Sequence, residues 1–246
     1  GKFMSSFSSG QSCLPNGHYT PKIVTTYLQK CKLTTIMDIQ SSVHKASRQR
    51  LSSDERQREI VAAVLALARE RGPDAITTQA IADRIGVTQG AIFRHFPHKE
   101  AIWMAVFAWV RESLGTLLAT AVAQRQSPLA KIEAAFFAHV AFIATNPGVP
   151  RVLFHELQYP GDSPVRAEVQ AMIAGYRERL TALFTEARTA GELPAALDTA
   201  LAPVLFIGAV QGLVIESALA GNEDAMMARA QQMFPLLVHG YRGPQE

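Results

Sequence analysis

The chain has 246 residues, 48% of them hydrophobic and 18% charged. That is enough for one or two domains with a real core and excludes wholesale disorder. The net charge of +3 is unevenly placed: residues 1–53 carry 7 basic and 1 acidic side chains (+6), residues 54–100 carry 7 and 7, and residues 101–246 carry 10 and 13 (−3). A uniformly basic, nucleic-acid-coating protein is therefore excluded, and DNA binding would have to come from a local arrangement, with the basic tail as an auxiliary arm.

The longest apolar run, Leu201 to Ile215, is broken by Pro203 and Gln211, so no membrane span and no membrane partner are expected. The first residues lead into no apolar stretch, so no secretory signal is expected, and Gly1 ahead of Met4 reads as a cloning scar. Cys13 and Cys31 form no CxxC pair. Neither a disulfide framework nor a zinc ribbon is indicated, and a reducing cytoplasm is the expected compartment.

Residues 1–50 are rich in Ser, Thr, Lys and Gln and show no sustained period. They read as a largely irregular tail (1–53) with a short helix around Lys22–Leu33. From Asp54 the pattern changes. Ile60, Ala63, Val64, Leu67 and Ala68 recur at helical spacing, with Ser53 or Asp54 as the cap and Gly72-Pro73 as the stop. Short helices follow at about Thr78–Ile85 and Gln89–His95, parted by Gly86, before Pro97 breaks the chain. Longer helices are predicted at about 99–123, 128–145, 149–157, 165–190, 196–220 and 223–241. No segment alternates with period two, so the expected fold class is all-α, with no sheet. The expected domains are a helix-turn-helix unit over 54–100 and a helical bundle over 101–246.

The stretch Thr78–Phe96 carries the functional reading. Ala82 is small where two helices must approach, Gly86 tolerates the positive φ of a tight turn, and Ile92 anchors the second helix. Thr88 stands where an N-cap belongs. Gln89, Gly90, Ala91, Phe93, Arg94 and His95 are then left outward, the N-terminal end being the part that meets base edges. Gln89 can pair with a base, Ala91 can touch a thymine methyl, and Arg94, His95 and Lys99 can reach phosphates. The competing readings are that Gly86 merely separates two core helices, that Phe93 is a core aromatic, and that His95 is an ordinary surface histidine.

The stretch Ile60–Phe107 resembles the DNA-binding domain of the TetR/AcrR transcriptional regulators. The matching features are the preceding amphipathic helix, Gly72, Thr77-Thr78, Ile81-Ala82, Gly86-Val87-Thr88, Gly90, Ile92-Phe93, His95-Phe96 and Lys99-Glu100. The resemblance implies that Thr77 or Thr78 binds a phosphate, that Thr88, Gln89, Gly90 and Ala91 face the major groove, and that His95 and Lys99 clamp the backbone. It implies double-stranded DNA, a small-molecule effector and a second copy of the chain as partners. Two positions depart from the family: Phe93 stands where tyrosine is usual, which removes one phosphate hydrogen bond worth about 1 kcal/mol. His98 occupies the usual Ser or Asn cap of the fourth helix.

The later helices read as a mostly apolar bundle with sparse polar points, as a small-molecule pocket would. Trp103, Phe107, Phe136, His139, Met172, Tyr176 and Gln211 are the candidate ligand contacts, with Leu205 and Gly208 also facing inward; plain core is the competing reading. Gly208, Gly212, Ala218, Met226, Met233, Phe234 and Leu237 are the candidate dimer interface, by close helix approach and a broad apolar face; an intrachain core is the alternative. No catalytic motif is found, whether GxSxG, P-loop, GxGxxG or HExxH, and no cofactor is expected. His95-x-x-His98 is not read as a metal pair, because His95 lies in the recognition segment and no Cys is near. The alternative to a regulator is an all-α ligand- or partner-binding protein whose helix-turn-helix is only structural. Gln89, Arg94 and Lys99 separate the two: the regulator reading requires them exposed on one surface and repeated across a two-fold axis about 34 Å apart.

Overall fold

The computed structural model describes residues 51–158, 161–222 and 225–243. Residues 1–50 of the expected tail, with the expected helix around Lys22–Leu33, lie outside those residues. Among the described residues there are nine α-helices and no strand: α1 (Ser53–Arg71), α2 (Thr78–Ile85), α3 (Gln89–Phe93), α4 (Lys99–Ala123), α5 (Pro128–Thr145), α6 (Gly148–Gln158), α7 (Pro164–Thr189), α8 (Ala202–Ala220) and α9 (Met226–Arg242).

The start of α1 differs from the expected cap. Ser52 is the N-cap: its Oγ accepts from the Glu55 amide, and the Ser52 amide donates back to the Glu55 carboxylate at 2.8 Å. This reciprocal box satisfies two helix-end donors at once, and it holds the Glu55 carboxyl below the usual carboxylate range. The turn after α2 follows the expectation. Gly86 has φ +69°, its amide and that of Val87 reach back to Asp83 and Ala82 carbonyls, and the helix ends there.

Two boundaries move. The second short helix stops at Phe93, because the amides of His95 and Phe96 both turn to the Ile92 carbonyl. The helix expected from 196 begins only at Ala202. The Asp198 carboxylate accepts from the amides of Ala200 and Leu201, which holds the chain in a turn, and Pro203 then opens the helix.

Helices α1 to α3 close on Ile60, Val64, Leu67, Ile81, Ala82, Ile92 and Phe96, all buried. Helix α5 is the centre of the larger unit, packed by α4, α7, α8 and α9. Phe136 lies among Phe137, Phe206 and Phe234 at ring separations of 5.6, 5.5 and 5.2 Å. By length and hydropathy α4, α5 and α8 would each suffice to cross a bilayer, although the run Leu201–Ile215 is broken by Pro203 and Gln211. In this structure they form the bundle instead.

Candidate nucleic-acid interface

The residues assigned to DNA lie on α2, α3 and the start of α4 or in the turns that flank α2 and α3, and the two threonines that cap the short helices set the geometry. Thr77 Oγ1 accepts from the Ala80 amide at 3.0 Å, and Thr88 Oγ1 accepts from the Ala91 amide at 3.3 Å. Thr77, Thr88, Gln89, Gly90, Arg94 and Lys99 are exposed; Thr78, Ala91 and His95 are half-buried. Phe93 is 43% exposed, so it is not the core aromatic of the competing reading. Gln89 is tied to α2, its Nε2 donating to Thr78 Oγ1 at 2.6 Å. His95 turns inward, its Nδ1 3.2 Å from the Ser53 hydroxyl at the start of α1. The departure at position 98 proves functional: His98 Nδ1 accepts from the Ala101 amide at 3.2 Å and caps α4. Among the described residues no group of three or more His, Cys, Asp or Glu could hold a metal.

Sequence reasoning missed what fastens this unit to the bundle. Gly148 at the start of α6 lies against the backbone of α1, where a Cβ would sit 2.1 Å from the Leu65 carbonyl oxygen. One turn on, Arg151 Nη1 donates to the Arg69 carbonyl at 2.8 Å, satisfying the end of α1. His155 Nδ1 is 3.6 Å from Asp74 and its ring is 6.5 Å from that of Trp103 on α4. Residues 148, 151 and 155 share one face of α6, but nothing in their types announces a domain contact.

The expected ligand contacts divide. Phe107 and Phe136 are fully buried core. Trp103, Met172, Tyr176 and Gln211 are half-buried. His139 is buried and hydrogen-bonded to the Tyr176 hydroxyl at 2.8 Å, the rings edge to face. Burial pulls the His139 pKa down to about 4 and pushes that of Tyr176 up. The Gln211 side-chain oxygen is buried with no hydrogen-bond partner among the described residues.

The expected dimer residues divide too. Met226, Phe234 and Leu237 are buried within the protomer, so they are core here and not a free face. Leu205 and Gly208, expected to point inward, are exposed. Leu201, Val204, Leu205, Gly208, Gly212, Ile215 and Leu219 recur at steps of three and four and form an exposed apolar stripe along α8. Ala218 is exposed beside it and Met233 is half-buried on α9.

The bacterial regulatory proteins of the tetR family match residues 60–106, and the tetracyclin repressor-like C-terminal domain matches residues 125–215. The nucleoid occlusion factor SlmA of Marinomonas sp. is 27% identical over 151 residues, 61% of this chain and 77% of that protein. The curated relatives matched are spanned over 51% to 77% of their own length. Among solved structures, the fatty acid degradation regulator FadR from Bacillus halodurans superposes with a TM-score of 0.67 at 19% identity, covering 79% of this chain and 99% of that one. The regulator FadR from Bacillus subtilis in complex with stearoyl-CoA superposes with a TM-score of 0.63 at 21% identity, covering 74% and 98%. These matches are to regulators and a nucleoid occlusion factor rather than to enzymes.

Proposed function

We propose that this chain, which belongs to the TetR/AcrR family of helix-turn-helix regulators, is a ligand-responsive repressor. A homodimer would hold a pseudo-palindromic operator and release it when a small apolar or aromatic effector enters the C-terminal bundle. The observation that carries the DNA half is the joint exposure of Gln89 on α3, Arg94 just after it and Lys99 at the start of α4. A helix-turn-helix kept only as a structural cap has no need of them. On this reading the chain divides into a basic tail (1–53), a DNA-binding unit (54–100) and a sensing and dimerisation unit (101–246), and works in the cytoplasm, where its DNA is.

Each half-site would receive the start of α3 in the major groove, with Gln89 and Ala91 at base edges and Arg94, Lys99 and a threonine hydroxyl on phosphates. Phe93 would offer an apolar edge where a tyrosine hydroxyl would have reached a phosphate. The sensing half rests on the unpartnered Gln211 oxygen. Leaving a buried acceptor unsatisfied costs about 1–3 kcal/mol, so an effector carrying a hydroxyl or N–H among apolar groups fits that position. Helix α4 runs from Lys99 at the DNA to the bundle, and α6 clasps α1 through Gly148 and Arg151. An effector that shifts α4 or α6 would change the spacing of the two recognition helices. Coupling of about 1–3 kcal/mol would loosen DNA by about 5- to 150-fold.

The test is to select duplexes from a random pool with the purified full chain, then screen small molecules for release. Lys99→Ala is expected to weaken all sequences alike and to lower the slope of log affinity against log salt by about one. Gln89→Ala should relax the preference at one or two base pairs. If neither variant changes operator binding, α3 is not the recognition helix. The tail makes a separate prediction. Deleting residues 1–47, which hold Lys45 but spare Arg48 and Arg50, should reduce affinity at low salt and leave sequence preference intact. Unchanged affinity would make the tail a passive extension.

A second reading has its own support, because nucleoid occlusion factors are among the curated relatives. It keeps the same DNA surface, with DNA of the nucleoid, rather than an operator beside a regulated gene, as what that surface occupies. Mapping the occupied sites in cells separates the two.

A further inference from the structure

Thr78 opens α2 and Gln89 opens α3, and an Nε2–H···Oγ1 bond of 2.6 Å links their side chains across the turn. An exposed glutamine ordinarily turns about three side-chain bonds. Here one amide hydrogen is committed to α2, which fixes which end of the amide faces which way. What remains is one N–H donor and the Oε1 acceptor. The Thr78 hydroxyl uses a lone pair in this bond and keeps its own proton to donate. The capping of α2 is done by Thr77, so Thr78 is not needed for it.

The major-groove edge of adenine presents an acceptor at N7 beside a donor at N6, and guanine presents two acceptors. A glutamine amide with one free N–H and one free oxygen complements adenine; against guanine its oxygen would face O6. We propose that Thr78 is a positioning residue that holds the Gln89 amide in the orientation that reads adenine, and so governs base preference without touching a base. With its own proton donated to a phosphate, Thr78 would also make the base contact depend on correct seating of the backbone. This rests on α3 being the recognition helix.

The experiment uses the full-length protein and a selected operator. The base pair whose preference Gln89→Ala relaxes is found first. Discrimination at that pair is then measured for Thr78→Val, Thr78→Ser, Thr78→Ala and Thr78→Val/Gln89→Ala, each checked for an unchanged thermal transition. Thr78→Ala substitutes for Thr78→Val should the latter not fold. The expected preference is adenine, by about 5- to 150-fold. Thr78→Val should erase most of it at the same pair, the double variant should be no worse than Gln89→Ala, and Thr78→Ser should retain it. A 7-deazaadenine at that position, lacking the N7 acceptor, should weaken wild type but not Thr78→Val. The proposal is overturned if Thr78→Val weakens all four bases equally and adds to Gln89→Ala, or if the preferred base is guanine. Those outcomes leave the recognition helix standing. If Lys99→Ala and Gln89→Ala both leave binding unchanged, the assignment of α3 itself has failed, and this inference with it.

Discussion

Ile215→Glu combined with Leu219→Glu is expected to convert the dimer to a monomer and to lower operator affinity about 10²- to 10⁴-fold. Leu219 is 85% exposed and Ile215 55%, on the α8 stripe that runs from Leu201 to Leu219. Large apolar side chains in a continuous exposed row mark a contact surface. Gly208 and Gly212 lie in the same row with nothing within 4 Å of an added Cβ, so a partner helix could approach closely there. In a two-fold dimer each substituted position recurs on the partner, so two carboxylates per chain become four at one interface. The DNA consequence follows from valency: a dimer's second half-site is captured at the effective concentration set by the first, and a monomer forfeits that gain. The protomer itself should keep its thermal transition, since neither residue belongs to the core. Sedimentation and operator titration read both halves. A variant that stays dimeric, or a monomer that holds the full operator as before, would show that the chain associates through another face.

How much of this was legible in the sequence depends on the range of the forces involved. The helix-turn-helix was readable because its determinants are local. Gly86 must reach positive φ, Thr77 and Thr88 cap the next turn, and Ile81, Ala82 and Ile92 close a core within a few residues. The class and order of the long helices were readable from their period and breakers. The start of α8 was not, because an Asp198 side chain, not a helix former, decides where the backbone turns.

Which face of a helix is inward is a longer-range matter. Helix α8 is apolar on nearly all sides, so its period cannot tell the face on α5 from the face in solvent: Leu205 reads as inward but is exposed, and Gly208, which reads as bundle or dimer contact alike, is exposed too. On α9 the error runs the other way. Phe234 and Leu237 look like a surplus apolar face, but Phe136 and Phe137 of α5 pack on the Phe234 ring and Leu237 is buried in the same core. The contact of Gly148 with Leu65 and the bond of Gln89 to Thr78 join segments in ways that residue type does not encode.

The buried His139–Tyr176 pair makes the second large prediction, and it concerns acid. His139 is 5% exposed, on the helix at the centre of the bundle. Burial lowers its pKa in the folded protein from 6.5 to about 4, because an imidazolium would lose its hydration there. The unfolded chain protonates His139 near its ordinary pKa. Between those two values the unfolded state therefore binds a proton that the folded state refuses. Stability is full above about pH 6.5, falls as the pH is lowered through that window, and stops falling from this cause below about pH 4. The slope is up to about 1.4 kcal/mol per pH unit, so the loss approaches about 3 kcal/mol. His139→Gln keeps a hydrogen-bonding partner for Tyr176 but has no proton to gain. It should be less stable than wild type at pH 7 and should lose less on going to pH 4.5. Denaturant titrations of both proteins at pH 7, 5.5 and 4.5 give the difference. Parallel curves would mean that acid unfolds the chain through groups other than His139. An effector that binds beside this pair should extend the fall in stability to lower pH, because favouring the neutral imidazole lowers the folded-state pKa of His139 still further.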